Sequence, residues 1–343
     1  MPPRSQENAA AAPRASFSPR KGNAMEQTKR EILPIKEQIA RHRWKLDNRS
    51  IPMGIGCAEV SEYYGQGSEG SDLLLRCYEE GFRYFDTSRS YGNSELVVGE
   101  FLRQIDRKTI FLSTKSHFRP RDFGAEAFSR FRQNFFESFE RLGVDHIDLF
   151  LIHDTDNIEI CQKEVVPFLR EQRDRGLIDY IGLGTRSLQA QIEGIASGAV
   201  DASESFLTYS LLKRSAVSAV RLAARKGTAW INASQLHFGV FKLEDPLAEA
   251  KDAVGSRRRE LEMAAKMQDL CREMGVNIFS AALQYSLLDP DVDVVLNGIH
   301  RASNIDSTIR AMRDVIYPDQ WAKILALQRT DPCMEIEDCS WWF

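Results

Sequence analysis

The feature that most constrains the fold is a regular alternation of strand-like and helix-like segments from about residue 52 onward. Short apolar runs bounded by turn residues predict strands, and the longer amphipathic stretches between them predict helices. The predicted strands are 52–57, 82–86, 109–114, 147–152, 179–183, 202–206, 228–233 and 293–297. The predicted helices are 70–80, 94–104, 126–142, 159–175, 187–197, 213–226, 258–287 (interrupted near Gly275) and 303–313. Such alternation is typical of a parallel sheet covered by helices.

Eight strand–helix units favour closure of this sheet into an α/β barrel. An open dinucleotide-binding sheet would carry a G-x-G-x-x-G turn after an early strand. Residues 54–59 read Gly-Ile-Gly-Cys-Ala-Glu, so this fingerprint is absent there. We therefore predict one barrel domain over residues 25–343. A short helix at 27–41 and a hairpin at 43–53 would precede it, with the hairpin plugging its bottom. A C-terminal extension after 315 would bring the aromatic residues 341–343 to its top.

Composition excludes several classes of function. The chain has 343 residues and a net charge of -4, which gives no reason to expect nucleic acid or an anionic membrane as a partner. No apolar run reaches the length of a transmembrane helix. The six cysteines form no C-x-x-C pair, which predicts reduced thiols in a cytoplasmic protein.

Residues 1–24 differ from the rest of the chain. They are rich in Ala, Pro, Arg and Ser, and Glu7 is their only acid, so they cannot bury enough apolar surface to fold. We expect a disordered or non-native tail, for example one from an early start codon before Met25. An organelle transit peptide stays open, although Pro13 and Pro19 interrupt the amphipathic helix that it needs.

Four residues follow or end consecutive predicted strands. Asp86 ends the second strand with Tyr91 five residues later, Lys115 ends the third, and His153 ends the fourth. The carboxyl ends of parallel barrel strands converge on one face, where active sites are found. Any one of these residues alone is more often a helix cap or a structural side chain. Four in consecutive order predict a site.

These four side chains suit proton transfer at a carbonyl. Reduction by hydride leaves an alkoxide, and Tyr91 can protonate it if its pKa, ordinarily about 10, is brought nearer to the working pH. The Lys115 ammonium would lower that pKa, and Asp86 would hold Lys115 by an ion pair. His153 would donate a hydrogen bond to the carbonyl oxygen. The cluster supplies no hydride, so a nicotinamide cofactor is the expected source.

The sequence also resembles the aldo-keto reductase family over roughly residues 50–315. The matching motifs are Gly-Phe-Arg-Tyr-Phe-Asp-Thr-Ser at 81–88, Tyr-Gly-Asn-Ser-Glu at 91–95 with Gly99, Ser-Thr-Lys at 113–115, Leu-Gly-Val-Asp-His-Ile-Asp-Leu at 142–149 and Ile-His at 152–153. The resemblance implies a (β/α)8 TIM barrel and NAD(P)-dependent carbonyl reduction or alcohol oxidation. It implies the catalytic residues Asp86, Tyr91, Lys115 and His153. Residues 231–239 resemble the aldose 1-dehydrogenase branch, with Gln235 replacing a proline.

The resemblance also implies a cofactor, NADP or NAD, extended across the barrel top. The residues that it assigns to this cofactor are Gly56, Cys57, Asp86, Ser234, Leu236, Gly298, Ile299, His300, Arg301 and Asn304. The chain departs from the family around the carboxamide, where Gly184-Thr185, Phe206 and Ala233 replace Ser-Asn, Gln and an aromatic residue. Thr185 or its neighbours would then bind the carboxamide. The choice between NADP and NAD stays open.

The expected substrate is a small carbonyl compound or a sugar. Candidate contacts are Tyr63 on the loop after the first strand, Arg89, His117 and His237. The histidine spacings do not predict a metal site. We predict an oxidoreductase of aldoses or small aldehydes. The alternatives are a reductase of a specialised biosynthetic ketone or aldehyde and a catalytically weak, cofactor-binding regulatory protein. A serine hydrolase would need a G-x-S-x-G turn. The oligomeric state is left open.

Overall fold

The computed structural model describes residues 32–61, 69–155 and 158–330. Within them, eight parallel strands close into a barrel in the order β10-β3-β4-β5-β6-β7-β8-β9. The barrel strands are β3 (Met53–Gly56), β4 (Tyr84–Asp86), β5 (Phe111–His117), β6 (Ile147–His153), β7 (Ile178–Gly184), β8 (Ala202–Phe206), β9 (Ala229–Ala233) and β10 (Val294–Gly298). The predicted α/β barrel is confirmed, and each predicted strand overlaps one of these eight.

The register of the strands places their carboxyl ends at one edge. Asp86 pairs with Gly56 and Ser113, and His117 pairs with His153. In β6 the residues before His153 are all buried, as expected for a parallel strand that is covered on both faces. The polar side chains of the site therefore begin where the buried strand ends.

The barrel interior is filled by large side chains from its strands. The rings of Tyr84 and Phe111 stack with centroids 4.8 Å apart. Gly54 makes room for this layer, because a Cβ atom there would lie 2.9 Å from Tyr84 Cβ. At the amino-terminal end, Ile35 and Ile39 belong to the same inner cluster.

A hairpin of β1 (Trp44–Leu46) and β2 (Arg49–Ile51) precedes the barrel, as predicted. Its role differs from the expected plug. The side chains that enter the inner cluster come from the helix before it, whereas Trp44 stacks on Phe82 at 4.1 Å within the layer between strands and helices. The hairpin thus packs on the outer core, and the helix closes the interior.

The α-helices of the described residues are Ile35–Arg41, Glu69–Glu79, Ser94–Leu102, Pro120–Phe123, Ala127–Leu142, Ile158–Ile160, Val166–Asp174, Leu188–Ser197, Val217–Lys226, Pro246–Ala250, Gly255–Glu273, Ile278–Tyr285, Ala302–Arg313 and Pro318–Gln328. The first helix begins at Ile35 after its N-cap Pro34, and residues 27–31 of its predicted range lie outside the described residues. Two differences from the predictions have visible causes. A turn in which Ser210 and Lys213 pair delays the helix predicted at 213. A π-helical segment, Cys161–Val165, precedes Val166–Asp174.

The C-terminal extension is in part the helix Pro318–Gln328. Its last residue, Gln328, donates to the carbonyl oxygens of Ser210 and Leu211 and accepts from the Tyr285 hydroxyl. This helix is therefore tied to the loop after β8. The predicted contacts of residues 341–343 and the predicted N-terminal tail lie outside the described residues.

The described cysteines agree with the thiol prediction. Cys57, Cys77, Cys161 and Cys271 are buried and free. Among the described residues, no helix combines the length and the apolar character needed to cross a membrane.

The inner cluster gives a test of the barrel closure. We expect Ile39→Ala to lower the free energy of unfolding by about 2–4 kcal/mol, because Ile39 is 1% exposed and its truncation leaves a cavity. Ile32→Ala is the control, since that side chain is 42% exposed and should change stability by about 0.5 kcal/mol or less. Urea unfolding measures both. Equal effects would contradict the proposed role of the helix.

Candidate active site

The structure brings the four predicted residues together at the carboxyl edge of the barrel. Asp86 ends β4, Lys115 lies in β5 and His153 ends β6. Tyr91 follows a turn in which its backbone N–H donates to the Ser88 carbonyl oxygen at 3.1 Å. The Lys115 Nζ atom lies 5.2 Å from the centre of the Tyr91 ring, and the His153 ring meets that ring edge-on at 5.8 Å.

Lys115 and Asp86 form a buried ion pair. Lys115 Nζ donates to Asp86 Oδ2, and Ser113 Oγ donates to Asp86 Oδ1 at 2.7 Å. The two charged side chains are 1% and 4% exposed. Burial alone would lower the pKa of Lys115, but the neighbouring carboxylates outweigh it and raise that pKa well above its ordinary value. Lys115 is therefore held as an ammonium.

Glu204 is a second carboxylate on the same ammonium, and the sequence reasoning missed it. Its Oε1 atom lies 3.1 Å from Lys115 Nζ, and its side chain is 9% exposed. Burial, with the Asp86 charge adding to it, raises the pKa of Glu204 to about 7, although Lys115 opposes this shift. A signal was available: an acid in β8, in phase with Ala202 and Phe206, sits where strands are normally apolar.

The Tyr91 phenol differs in one respect from the expectation. Lys115 acts to lower its pKa, as predicted, but burial has the larger effect and raises that pKa above its ordinary value. Glu204 and Asp86 raise it further. Tyr91 in this state is a phenol, which suits a proton donor better than a base.

His153 is fixed by two hydroxyl groups. The Oγ atoms of Ser88 and Ser90 each lie 3.1 Å from its Nδ1 atom. Burial lowers the pKa of His153 well below its ordinary value, and the nearby charges of His117 and Lys115 lower it further. The ring is therefore neutral. When a serine hydroxyl donates to Nδ1, the remaining hydrogen is on Nε2 and is available to a carbonyl oxygen.

A buried ion pair supports the turn that carries Tyr91. Glu95 accepts from Thr114 Oγ1 at 2.8 Å and pairs with Arg141 Nε at 3.0 Å. Arg141 also donates to the Gly92 carbonyl oxygen at 2.5 Å. The residue next to Tyr91 is thus anchored both to β5 and to the helix Ala127–Leu142.

A cavity of about 670 Å³ opens beside Tyr91. This is within the size range of small-molecule and cofactor sites, roughly 300–1,000 Å³. Eight of the residues predicted to bind the cofactor line it, namely Gly56, Asp86, Ser234, Leu236, Gly298, His300, Arg301 and Asn304. Glu59, Phe206, Lys242, Phe279 and Thr308 also line it, as does Glu204. Of these, only Phe206 had been discussed from sequence, as a departure from the family.

The loop after β9 has an unusual backbone. Ser234, His237, Phe238 and Gly239 all have positive φ, and Leu236 before His237 has φ -88° and ψ 1°. Non-glycine residues in this region are uncommon and cluster at functional sites. Within the loop, the His237 and Gly239 N–H groups donate to the carbonyl oxygens of Ser234 and Leu236, each at 3.0 Å. This loop lines the cavity together with the basic residues Lys242 and Arg301.

A match to a known family agrees with this geometry. The model of the aldo/keto reductase family matches residues 52–329. The chain belongs to the aldo/keto reductase family. It is therefore an oxidoreductase, and membership implies a nicotinamide cofactor and a small carbonyl or sugar substrate.

Characterised relatives and a solved structure resemble this aldo/keto reductase over most of its length. L-galactose dehydrogenase of Arabidopsis thaliana is 27% identical over 277 residues, which cover 77% of this chain and 84% of that protein. D-threo-aldose 1-dehydrogenase of a Pseudomonas species is 26% identical over 307 residues, covering 80% and 93%. The holo form of aldo-keto reductase AKR11C1 from Bacillus halodurans superposes with a TM-score of 0.67 at 21% identity, covering 83% and 95%.

Three predicted cofactor residues of this aldo/keto reductase do not line the cavity. Cys57 and Ile299 are fully buried, and the Cys57 Sγ atom faces the Ile55 carbonyl oxygen at 3.8 Å. Thr185 is 5% exposed, and its Oγ1 atom accepts from the Ser187 backbone N–H. The Cys57 and Ile299 side chains therefore belong to the core, and a cofactor contact of Thr185 stays a prediction.

The structure places the predicted substrate residues in different surroundings. Arg89 binds Glu137 at 2.7 Å and does not line the cavity. His237 lines the cavity, but its Nε2 atom bonds Ser210 Oγ at 2.5 Å and its Nδ1 atom is 3.7 Å from the buried Glu260. Tyr63 lies outside the described residues.

His117 is the last residue of β5 and lies beside His153. Its ring centroid is 4.4 Å from that of His153, and its Nε2 atom is 4.0 Å from Asp154 Oδ2. Arg119 and Arg186 converge on the same Asp154 oxygen at 3.4 and 3.1 Å. The atoms of His117, His153 and Asp154 are close enough to hold a metal ion, but two guanidinium groups oppose a cation there. The absence of a metal stays a prediction.

The two imidazoles give a test of the site's electrostatics. Burial is the main cause that lowers the pKa of His117, to about 4, and that of His153 well below its usual range. We expect ¹⁵N NMR to show both rings neutral one pH unit below the ordinary histidine pKa of about 6.5. Below a pH of about 6.5, only the unfolded chain takes up protons at these two histidines. The free energy of unfolding should therefore fall as the pH drops further. His117→Gln and His153→Gln assign the signals, and an imidazolium signal from His153 would contradict the description.

Proposed function

We propose that this aldo/keto reductase transfers a hydride between a nicotinamide cofactor and the carbonyl or alcohol carbon of an aldose or small aldehyde, with Tyr91 as general acid/base. The observation that carries the proposal is the position of the Tyr91 phenol. It lines the cavity and lies between the Lys115 ammonium and the neutral His153 ring. A proton donor and a hydrogen-bond donor thus converge where a carbonyl oxygen can be polarised.

The residues of the cavity fit a dinucleotide. The positive-φ loop after β9 lines the cavity beside Lys242 and Arg301, and these two cations suit a pyrophosphate. Arg301 and Asn304 belong to the start of the helix Ala302–Arg313, where exposed N–H groups favour a phosphate. When bound, the nicotinamide supplies or accepts the hydride. The protein contributes the binding, the orientation and the proton.

Phe206 is our candidate for the contact with the nicotinamide ring. It pairs with Ala233 across β8 and β9, and both line the cavity. The family resemblance places an aromatic residue at the Ala233 position, so the aromatic ring has moved to the neighbouring strand.

The proton path uses this chain's own groups. In reduction, the Tyr91 hydroxyl gives its proton to the oxygen that gains negative charge as hydride arrives at carbon. His153 Nε2–H donates to the same oxygen and orients it. Lys115 stabilises the phenolate that remains, and Asp86 keeps Lys115 in place. In oxidation the same steps run in reverse, with Tyr91 phenolate as the base.

A polar cluster beside His153 supports a hydroxylated substrate. It consists of His117, Arg119, Asp154 and Arg186, which supply donors and acceptors. The similarity to an L-galactose dehydrogenase and a D-threo-aldose 1-dehydrogenase favours an aldose within the class of small carbonyl compounds. A cofactor-binding protein without turnover remains the second candidate, and the experiment below separates the two.

Tyr91→Phe tests the acid/base assignment. We expect its kcat/KM with NAD(P)H across a panel of aldehydes, and with NAD(P)⁺ across aldoses, to fall by about 10²–10⁴, since the proton donor is lost. Binding of the cofactor, followed by its fluorescence, should persist. Tyr78→Phe is the matched control, because that hydroxyl bonds Thr109 on the surface. Full activity of Tyr91→Phe would overturn the assignment, and a wild type that binds cofactor without any turnover would favour the second candidate.

Glu59 leads us to propose NAD(H) rather than NADP(H) as the preferred cofactor. Its carboxylate fills the space beside Gly298, since a Cβ atom at that glycine would lie 2.7 Å from Glu59 Oε1. It also bonds His300 Nδ1 at 2.9 Å. The family resemblance places the adenosine phosphate at these residues. A carboxylate accepts from ribose hydroxyls and repels a 2′-phosphate.

Glu59→Gln tests the cofactor choice. We expect the ratio of the Kd for NADPH to the Kd for NADH to fall at least about fivefold, because removal of one like charge is worth about 1 kcal/mol or more at a partly buried site. Titration of cofactor fluorescence on the protein without substrate measures both constants. Glu79→Gln removes the same charge from an exposed helix position and should leave the ratio unchanged. An unchanged ratio in Glu59→Gln would refute the assignment.

A further inference from the structure

We propose that Glu204 is a positioning residue of the reaction, which holds Lys115 together with Asp86 and sets the pH at which Tyr91 exchanges its proton. The inference rests on the proposed function of Tyr91. It adds a residue from the sixth barrel strand to a site otherwise built from the second, third and fourth.

The geometry gives Glu204 a direct hold on the ammonium. Its two oxygens lie 3.1 and 3.3 Å from Lys115 Nζ, and its side chain is almost as buried as that of Asp86. Its backbone carbonyl accepts from Gln191 Nε2 at 2.8 Å, which fixes this part of β8. Lys115 is therefore bound by two carboxylates on strands that are not neighbours in the barrel.

Gly184 leaves space for the contact between Glu204 and Lys115. It lies on β7, which is between the strands of these two residues in the barrel. A Cβ atom at Gly184 would already touch Lys115 Cδ at 3.5 Å and Glu204 Cβ at 3.8 Å, so a longer side chain would push between them. The family resemblance places a serine here. The loss of that side chain and the gain of the buried carboxylate thus belong to one local rearrangement.

The charges around Glu204 explain why it matters for Tyr91. The groups that act on Glu204 are Asp86, Lys115 and Asp154, and Glu204 itself acts on the phenols of Tyr84 and Tyr91. With Glu204 protonated, Asp86 and Lys115 balance each other. With Glu204 ionised, the cluster has a net negative charge, which disfavours the Tyr91 phenolate.

The two protonation states therefore favour different directions of the reaction. Ionised Glu204 keeps Tyr91 as a phenol to higher pH, which suits reduction of a carbonyl. Protonated Glu204 makes the phenolate easier to form, which suits oxidation. No net proton is consumed by Glu204 in a turnover, since it acts only through its charge and its contact with Lys115.

Glu204→Gln is the principal test, because it keeps the hydrogen-bonding side chain and removes the charge. We expect the alkaline limb of the kcat/KM profile for reduction to move to lower pH by about one unit, since removing a nearby negative charge favours the phenolate. A purely structural role would lower activity or stability without moving this limb. Glu204→Asp keeps the charge and should restore the limb toward the wild-type position. A superimposable Glu204→Gln profile would overturn the proposal.

Asp148→Asn is the matched control. Asp148 is also buried, but it binds Arg107 and the Leu112 backbone N–H rather than Lys115. We expect this variant to leave the alkaline limb where it is, even if its stability falls. An equal shift in both variants would show that the effect is not specific to the contact with Lys115, and would contradict the inference.

Infrared spectroscopy tests the same proton without any turnover. In wild-type protein labelled with ¹³C-glutamate, we expect the carbonyl band of a protonated buried carboxyl to disappear as the pH is raised through about 7. The band should be absent from Glu204→Gln. Because the band is measured on the wild type, this test does not require the variant to fold. Absence of the band from the wild type would show that Glu204 carries no proton, and would refute the inference. An active Tyr91→Phe protein would instead refute the proposed function and leave the band intact.

Discussion

The active site depends on keeping one ammonium inside the barrel. A lysine that is 1% exposed must be compensated, because moving a charge out of water costs several kcal/mol even after relaxation. Asp86 and Glu204 provide this compensation from two strands, and Ser113 satisfies the remaining oxygen of Asp86. Lys115 in turn lies beside the Tyr91 ring. The position of the proposed proton donor is thus a consequence of how the buried charge is balanced.

The barrel makes this balance possible by its register. Strand pairing fixes Asp86 opposite Ser113 and His117 opposite His153, so these side chains are positioned by strands rather than by loops. Only Tyr91 comes from a turn, and that turn is held by the Glu95–Arg141 pair through Gly92. Rigid strands position the charges, and a braced loop positions the group that transfers the proton.

The strand–helix alternation and the four polar residues could be read from the sequence because each depends on local patterns. Apolar runs with turn residues predict strands, and the order along the chain then predicts which ends meet. Glu204 stands out in its strand as an acid, but its contact with Lys115 could not be predicted in this way. The same holds for the contact of Glu59 with His300, because both contacts join residues far apart along the chain. For Arg89, the position between Asp86 and Tyr91 predicted a substrate contact, whereas the structure pairs it with Glu137 on a helix that sequence spacing does not bring near.

Two departures from the family pattern are each matched by a residue on the neighbouring strand. Phe206 stands opposite Ala233 on the adjacent strand, so an aromatic ring is kept while its strand changes. Gly184 stands between Lys115 and Glu204, so a lost side chain makes room for a new charge. In a closed parallel barrel, neighbouring strands present side chains at the same height, and one strand can therefore supply what another has lost. The residues near Tyr91 are constrained by the need to balance the charge of Lys115. The residues around the cofactor can differ more, as long as the cavity keeps its shape and charge.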